Sequence, residues 1–287
     1  MATTYLHPEF RALRTAREEG LPLNGAWEAF RKKALANSDH PPPMVSEVMA
    51  QVMRQQGDRP PSSIKILDHG CGGGFILMYF LAVGYTEIYG IDVETNEVDP
   101  VWNDFCRDVA GLRGQRFHTY DGWKMPFDDG SFDIIFSTQV IEHVEDRFWD
   151  SYFSEESRVL KHGGSVFHEI PHRLGPYESH TNTWFLHYLP RKIHSKIYCM
   201  TGRGAANSHY LRMPTTIRRA LRRHIGDTQE YTLHAFLENS NPEDFDGPSL
   251  IRRVIYTTCM IPIIGPIIQT IIRPMLMMRI RATKANI

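Results

Sequence analysis

An α/β fold built on parallel strands is what this sequence predicts, and two stretches carry the prediction. The first is Ile64-Lys65-Ile66-Leu67-Asp68-His69-Gly70-Cys71-Gly72-Gly73-Gly74, an apolar run that ends on an acid and breaks into alternating glycines. The run reads as a buried strand. Glycine at Gly70, Gly72 and Gly74 lets the chain take positive φ and brings main-chain N–H and C=O groups against a ligand with no Cβ in the way. The second stretch is the return: Phe75 to Val83 reads as a buried helix, and Glu87 to Ile91 as a second strand closing on Asp92. Strand, glycine turn, helix, strand and acid together present a nucleotide-like ligand to a helix N-terminus, with the acid suited to two ribose hydroxyls.

The glycine spacing separates two ligand classes. A dinucleotide fingerprint wants Gly-x-Gly-x-x-Gly or Ala. Counting from Gly70 the third place is Phe75, and counting from Gly72 it is Leu77, so both registers put a large side chain where close helix packing is needed.

Two further strands follow. Phe117-His118-Thr119-Tyr120-Asp121-Gly122 reads as a short third strand ending in an acid. Met125-Pro126-Phe127-Asp128-Asp129-Gly130-Ser131-Phe132-Asp133 is a turn-rich loop leading into a fourth strand through Ser137. Thr138-Gln139-Val140-Ile141-Glu142-His143-Val144 comes next.

From about Ser62 to Ile170, these four motifs in this order resemble the class I S-adenosylmethionine-dependent methyltransferases. The resemblance implies a doubly wound, mostly parallel seven-stranded sheet and S-adenosylmethionine as cofactor. It implies that Asp68 and the Gly70, Gly72 and Gly74 turn hold the methionine end, and that Asp92 holds the ribose. Asp121 would take the adenine amino group, with the Gly122 and Trp123 backbone beside it, and Thr138 and Gln139 would line the methionine side. His69 departs from the small or aliphatic residue common there, and is expected to alter packing under the turn rather than binding.

Outside the core, Pro8 to Lys33 reads as two amphipathic helical pieces split by Gly20-Leu21-Pro22-Leu23-Asn24-Gly25, and a helix is expected over Met44 to Gln56. Phe148 to Leu160 reads as a helix stopped by Lys161-His162-Gly163-Gly164, and Ser165 to Ile170 as the fifth strand. The resemblance then calls for a helix, met by Thr215 to Ile225, and two last strands, met by Gln229 to Leu237 and Met275 to Thr283. The expected divisions are an N-terminal helical cap (1–60), a cofactor-binding core (61–170), a substrate lid inserted after the fifth strand (171–213) and C-terminal elements completing the sheet (214–287). Substrate selection is expected in the insertion.

At 287 residues with 42% hydrophobic content the chain can bury one large core with extensions. Net charge of −1 gives no global pull toward nucleic acid. Its distribution is uneven: Ser179 to Gly226 lacks Asp and Glu while holding Arg191, Lys192, Lys196, Arg203, Arg212, Arg218, Arg219, Arg222 and Arg223. Cys71, Cys106, Cys199 and Cys259 form no Cys-x-x-Cys pair, which fits a reduced, cytoplasmic setting. Charged residues from Glu9 to Glu19 interrupt any signal-peptide core.

His168-Glu169-Ile170-Pro171-His172 matches His-Glu-x-x-His, whose zinc chemistry requires both histidines on one helix face. Strand character before it and Pro171 within it argue against that helix and a zinc-protease site; no metal is expected, a metal held loosely by His168, His172 and His180 being the alternative. If the acceptor is a hydroxyl, methyl transfer needs a base, and histidine suits neutral pH. The candidates are His143, His172 and His180, with Glu178 as orienter.

Val254 to Ile272 carries no charged residue but is cut by Pro262, Gly265, Pro266 and Gln269. A helical hairpin is expected, buried or interfacial, with membrane-surface contact through 250–281 as one reading because Arg252, Arg253, Arg273, Arg279 and Arg281 flank it. The sequence thus predicts an S-adenosylmethionine-dependent methyltransferase, acting on oxygen of a small-molecule, glycan or lipid-linked acceptor, anionic or amphiphilic. The alternatives are RNA methylation guided by the basic insertion and a noncatalytic cofactor-binding subunit.

Overall fold

The computed structural model describes residues 8–38, 41–93, 101–178, 181–202, 209–238 and 250–286. Helices α1 (Pro8–Glu18), α2 (Asn24–Ala36) and α3 (Pro43–Gln56) precede β1 (Ile66–His69) and α4 (Phe75–Ala82). Then come β2 (Ile88–Val93), α5 (Val101–Asp108), β3 (Phe117–Tyr120), β4 (Phe132–Thr138), α6 (Trp149–Val159) and β5 (Leu160–Ile170). The insertion holds the two-residue strands β6 (Tyr177–Glu178) and β7 (Thr183–Trp184) and helix α7 (Arg191–Met200). The chain continues through α8 (Pro214–His224), β8 (Gly226–Glu230), α9 (Thr232–Glu238), α10 (Leu250–Cys259), α11 (Ile264–Ile272) and β9 (Met278–Lys284).

Seven strands form a sheet in the order β3-β2-β1-β4-β5-β9-β8. β1 pairs in parallel with β2 and β4, and β2 with β3, while β8 and β9 are antiparallel. This is the doubly wound, mostly parallel sheet expected of the motif order. The chain divides into two compact units. One takes the described residues of 1–137, 155–166 and 286; the other takes those of 138–154 and 167–285.

In the first unit, α4 is buried along its whole length, as a helix that is apolar on every side must be. Phe75 meets the rings of Phe10 at 4.8 Å and Phe30 at 6.4 Å, so the N-terminal helices cover its start. Gly90 in β2 makes the approach from the sheet side feasible. A Cβ there would come within 3 Å of Cys71 Sγ and of the Leu77 and Phe117 side chains. Asp133, the acid of the Gly-Ser-Phe-Asp run, is buried at the start of β4 and accepts from Arg59, Lys161 and the Lys65 N–H at 2.8–2.9 Å. Burial alone would raise its pKa, but these hydrogen bonds outweigh it and hold the carboxyl below the usual range. Arg158 clamps the preceding loop through the Met125 and Phe127 carbonyls, Asp129 and Glu155.

Two expectations need correction. The penultimate strand is Gly226–Glu230, not Gln229 to Leu237; residues Thr232–Glu238 are helical because Thr232, Ala235 and Phe236 share one buried face at helical spacing. The fifth strand starts at Leu160, so Lys161 to Gly164 belong to it rather than to a helix stop. Gly163 supplies the φ of +74° that this stretch requires. Among the described residues no helix is long and apolar enough to cross a membrane, and 254–272 is the expected hairpin, α10 and α11.

Candidate cofactor and active site

Asp68 and Asp92 lie at the carboxyl ends of the paired strands β1 and β2, where open parallel sheets take ligands. Between them, Gly70, Gly72 and Gly74 adopt φ of +92°, +45° and +76°, values L side chains rarely hold. The turn is pinned by Gly70 N–H on the Ile91 carbonyl at 2.8 Å and Gly74 N–H on the Cys71 carbonyl at 2.9 Å. A Cβ at Gly72 would meet nothing within 4 Å, so that side of the turn is open.

Asp68 is 3% exposed, and its Oδ1 accepts no hydrogen bond. Burial, reinforced by the Asp92 charge, pushes its pKa well above the carboxylate range. Native structures rarely leave such an atom orphaned. It fits the ammonium of a methionine moiety, which would bring both hydrogen-bond donors and positive charge. Asp92 accepts from Gly72 N–H at 2.9 Å and Val93 N–H at 2.8 Å, which ties the end of β2 to the glycine turn. Asp121 Oδ1 accepts the Trp123 N–H at 2.8 Å and so sets its own loop, while Gly122 takes φ +86°.

Helix α1 lies over the glycine turn. Trp102 Nε1 donates to the Gly73 carbonyl at 3.1 Å, its ring stacks on Phe10, and the Arg17 guanidinium sits 5.4 Å from the ring centroid.

His69 does more than fill space. Its Nδ1 is 2.9 Å from Glu156 Oε1 and its Nε2 is 2.7 Å from the Tyr120 hydroxyl, all three groups being buried. The residue before the glycine turn is thereby tied to α6 and to the end of β3, next to Asp121. Only the departure of His69 from the family's small residue marked it in the sequence.

The second unit holds the remaining candidates. Thr138 ends β4; Gln139 takes φ +56°, and its N–H donates to the Glu169 carbonyl at 2.8 Å. His143 is exposed, its ring centroid 4.7 Å from that of His209. His172 is withdrawn as a base. Its Nδ1 accepts the Leu174 N–H at 3.2 Å and its Nε2 lies 2.8 Å from the Leu276 carbonyl, so both nitrogens serve main-chain partners. Burial also pushes its pKa down. His180 lies outside the described residues. Glu178 is buried and accepts the Thr181 N–H at 2.7 Å. The His-Glu-x-x-His match falls on β5 and the loop after it, not on a helix, and among the described residues no group of three His, Cys, Asp or Glu is placed to hold a metal.

Arg212 escaped the sequence reading as more than one charge among many. Its guanidinium donates to the Ile141 and Val144 carbonyls and to Asp146, and lies 4.0 Å over the Trp149 ring. With the Tyr210 N–H on the Glu142 carbonyl, it laces the insertion's end to the Glu142-His143-Val144 stretch. Beside it a cavity of about 210 Å³ is lined by Arg173, Glu178, Thr181, His187, Tyr198 and Arg212, among others.

A profile described as "Methyltransferase domain" matches residues 67–168, the segment holding all four motifs. That segment, 67–168 of 287 residues, is similar to S-adenosylmethionine-dependent methyltransferase domains. An uncharacterized methyltransferase of Mycobacterium sp. (strain KMS) is 30% identical over 142 residues, 50% of this chain and 52% of that one. A ubiquinone biosynthesis O-methyltransferase of Pelagibacter ubique is 29% identical over 118 residues, 39% of this chain and 44% of that one. This chain thus spans about half the length of the curated relatives it matches. A phosphoethanolamine N-methyltransferase 2 of Haemonchus contortus, solved with phosphomonomethylethanolamine and S-adenosylhomocysteine, shares the methyltransferase fold: TM-score 0.50, 18% identity, 84% of this chain and 53% of that one.

Proposed function

We propose that this methyltransferase binds S-adenosylmethionine on the Asp68 to Asp92 turn and transfers its methyl group to an oxygen of a small acceptor selected by the insertion. The observation carrying the reading is the buried, unpartnered Asp68 oxygen beside an open glycine turn. When bound, the cofactor supplies a methyl group on a sulfonium leaving group. In this reading the chain's own groups hold and orient: Asp68 the ammonium, Asp92 the ribose hydroxyls, Asp121 the adenine amino group, and the Gly70 and Gly72 backbone the edge between them. Methyl transfer itself asks mainly for in-line placement. An oxygen acceptor sheds a proton as the new C–O bond forms and the S–C bond breaks, and His143 is the candidate to receive it. The relative acting in ubiquinone biosynthesis supports oxygen as the acceptor atom. The cavity beside Arg212 lies below the roughly 300–1,000 Å³ of drug-sized sites, which favours a small acceptor, or the reactive end of a larger one.

Titration calorimetry tests the cofactor site. Micromolar binding of S-adenosylmethionine and S-adenosylhomocysteine, no binding of NAD, and loss of binding in Asp92→Ala and Gly72→Trp are expected. No binding, or a preference for NAD, overturns the reading. For the base, His143→Ala is expected to lower kcat with cofactor affinity unchanged; an unaltered kcat removes His143 from the mechanism.

A further inference from the structure

Helices α10 and α11 form a hairpin that exposes a set of apolar side chains from Met260 to Ile271. The Gly265 N–H donates to the Ile261 carbonyl at 2.7 Å, Gln269 Nε2 donates to the Cys259 carbonyl at 3.0 Å, and a Cβ at Gly265 would collide with that same carbonyl. Around this pivot Met260, Ile261, Ile263, Ile264, Ile267 and Ile271 are each between 42% and 85% exposed. Single exposed apolar residues are ordinary, but a contiguous set marks a contact surface. Ile263, at the tip, is the most exposed at 85% and takes φ +75°, which a β-branched residue strongly disfavours. The strain presents an isoleucine to solvent instead of hiding it.

A cationic site begins where α11 ends. Arg273, Arg218 and Arg222 line a cavity of about 580 Å³ together with Glu230, which accepts hydrogen bonds from Arg218 and Arg273. Three guanidinium groups against one carboxylate leave a positive site, and the planar guanidinium fork matches phosphate oxygens. At 1.5 Å per residue, α10 and α11 are each about 15 Å long or less, half the roughly 30 Å hydrocarbon core of a bilayer.

We propose that this face docks the protein on an anionic phospholipid bilayer. The tip around Ile263 enters the boundary between headgroups and acyl chains, and Arg218, Arg222 and Arg273 meet lipid phosphates. Charge complementarity selects this occupant: a second copy meeting the same face about a twofold axis would bring arginine cluster toward arginine cluster.

Vesicle sedimentation tests it with the full chain, using three parts phosphatidylcholine to one part phosphatidylglycerol against phosphatidylcholine alone. Binding to the anionic vesicles is expected, weakened by salt, at least tenfold weaker on neutral vesicles and abolished in Ile263→Asp/Ile267→Asp. Arg222→Gln is expected to weaken binding roughly fivefold, the effect of one charge near such a surface. A gain-of-signal variant, Ile263→Trp, is expected to show emission quenched by brominated lipid beyond that of the parent chain. Equal binding to both vesicles, no binding, unquenched emission, or a dimer in sedimentation equilibrium that Ile263→Asp dissociates without any vesicle binding would each overturn the proposal.

Discussion

In the proposed cofactor site, Asp68 puts ligand binding and stability in opposition at one carboxyl group. Its pKa is raised in the fold by burial and by Asp92, so folding without ligand disfavours its ionised form. A raised acid costs stability above its unfolded pKa of about 3.9, and the cost grows as pH rises toward the folded value. Asp68→Asn is therefore expected to stabilise the ligand-free protein at pH 7 by on the order of 1–3 kcal/mol and to flatten that part of the pH dependence in urea unfolding, while S-adenosylmethionine binding is lost. His69→Leu acts in the other direction. It removes the hydrogen bonds that Glu156 and Tyr120 make in a fully buried place, and a loss of about 3 kcal/mol is expected in the same assay. The places of Asp68 and Asp92 were legible in the sequence because the signal is local: an acid at a strand end beside glycines. The role of His69 depends on Glu156, 87 positions away, and no local pattern announces such a partner. His172 was misleading for a related reason, since the carbonyl that occupies it belongs to Leu276.

At the scale of elements, apolar strands and amphipathic helices were legible and the wholly polar strand was not. β1, β2 and β4 are buried and read as apolar runs. Strand β8 is Gly-Asp-Thr-Gln-Glu, without one apolar side chain, and exists because its backbone pairs with β9 in antiparallel register, Thr228 opposite Ala282. Only the partner strand reveals it. The hairpin was legible for the opposite reason: Pro262 and Gly265 interrupt an uncharged run at the point where α10 gives way to α11. Gly265→Ala is expected to spring this hairpin, since the Cys259 carbonyl is main chain and cannot swing aside. The expected result is faster amide hydrogen exchange over residues 254–272, with exchange in β1 and β2 unchanged; unaltered exchange in the hairpin would show that the turn has slack.

At the scale of the whole molecule, the proposed cofactor site couples ligand to stability. Ligand at about one hundred times its Kd adds roughly 2.7 kcal/mol to the folded state, and a rise in Tm of about 5 °C or more is expected with S-adenosylhomocysteine, absent in Asp92→Ala. A rise retained in that variant would place the ligand elsewhere.

The strand order has a bearing on how the chain comes to be made. β9 is the last strand in sequence, yet it stands between β5 and β8. During synthesis β8 leaves the ribosome some fifty residues before the strand it pairs with. Until Met278 to Lys284 arrive, β8 presents a row of open N–H and C=O groups, the kind of edge that recruits stray strands. Its wholly polar side chains make that interval safe: a nascent edge of Asp, Thr, Gln and Glu offers backbone to a neighbour but no apolar face to hold it.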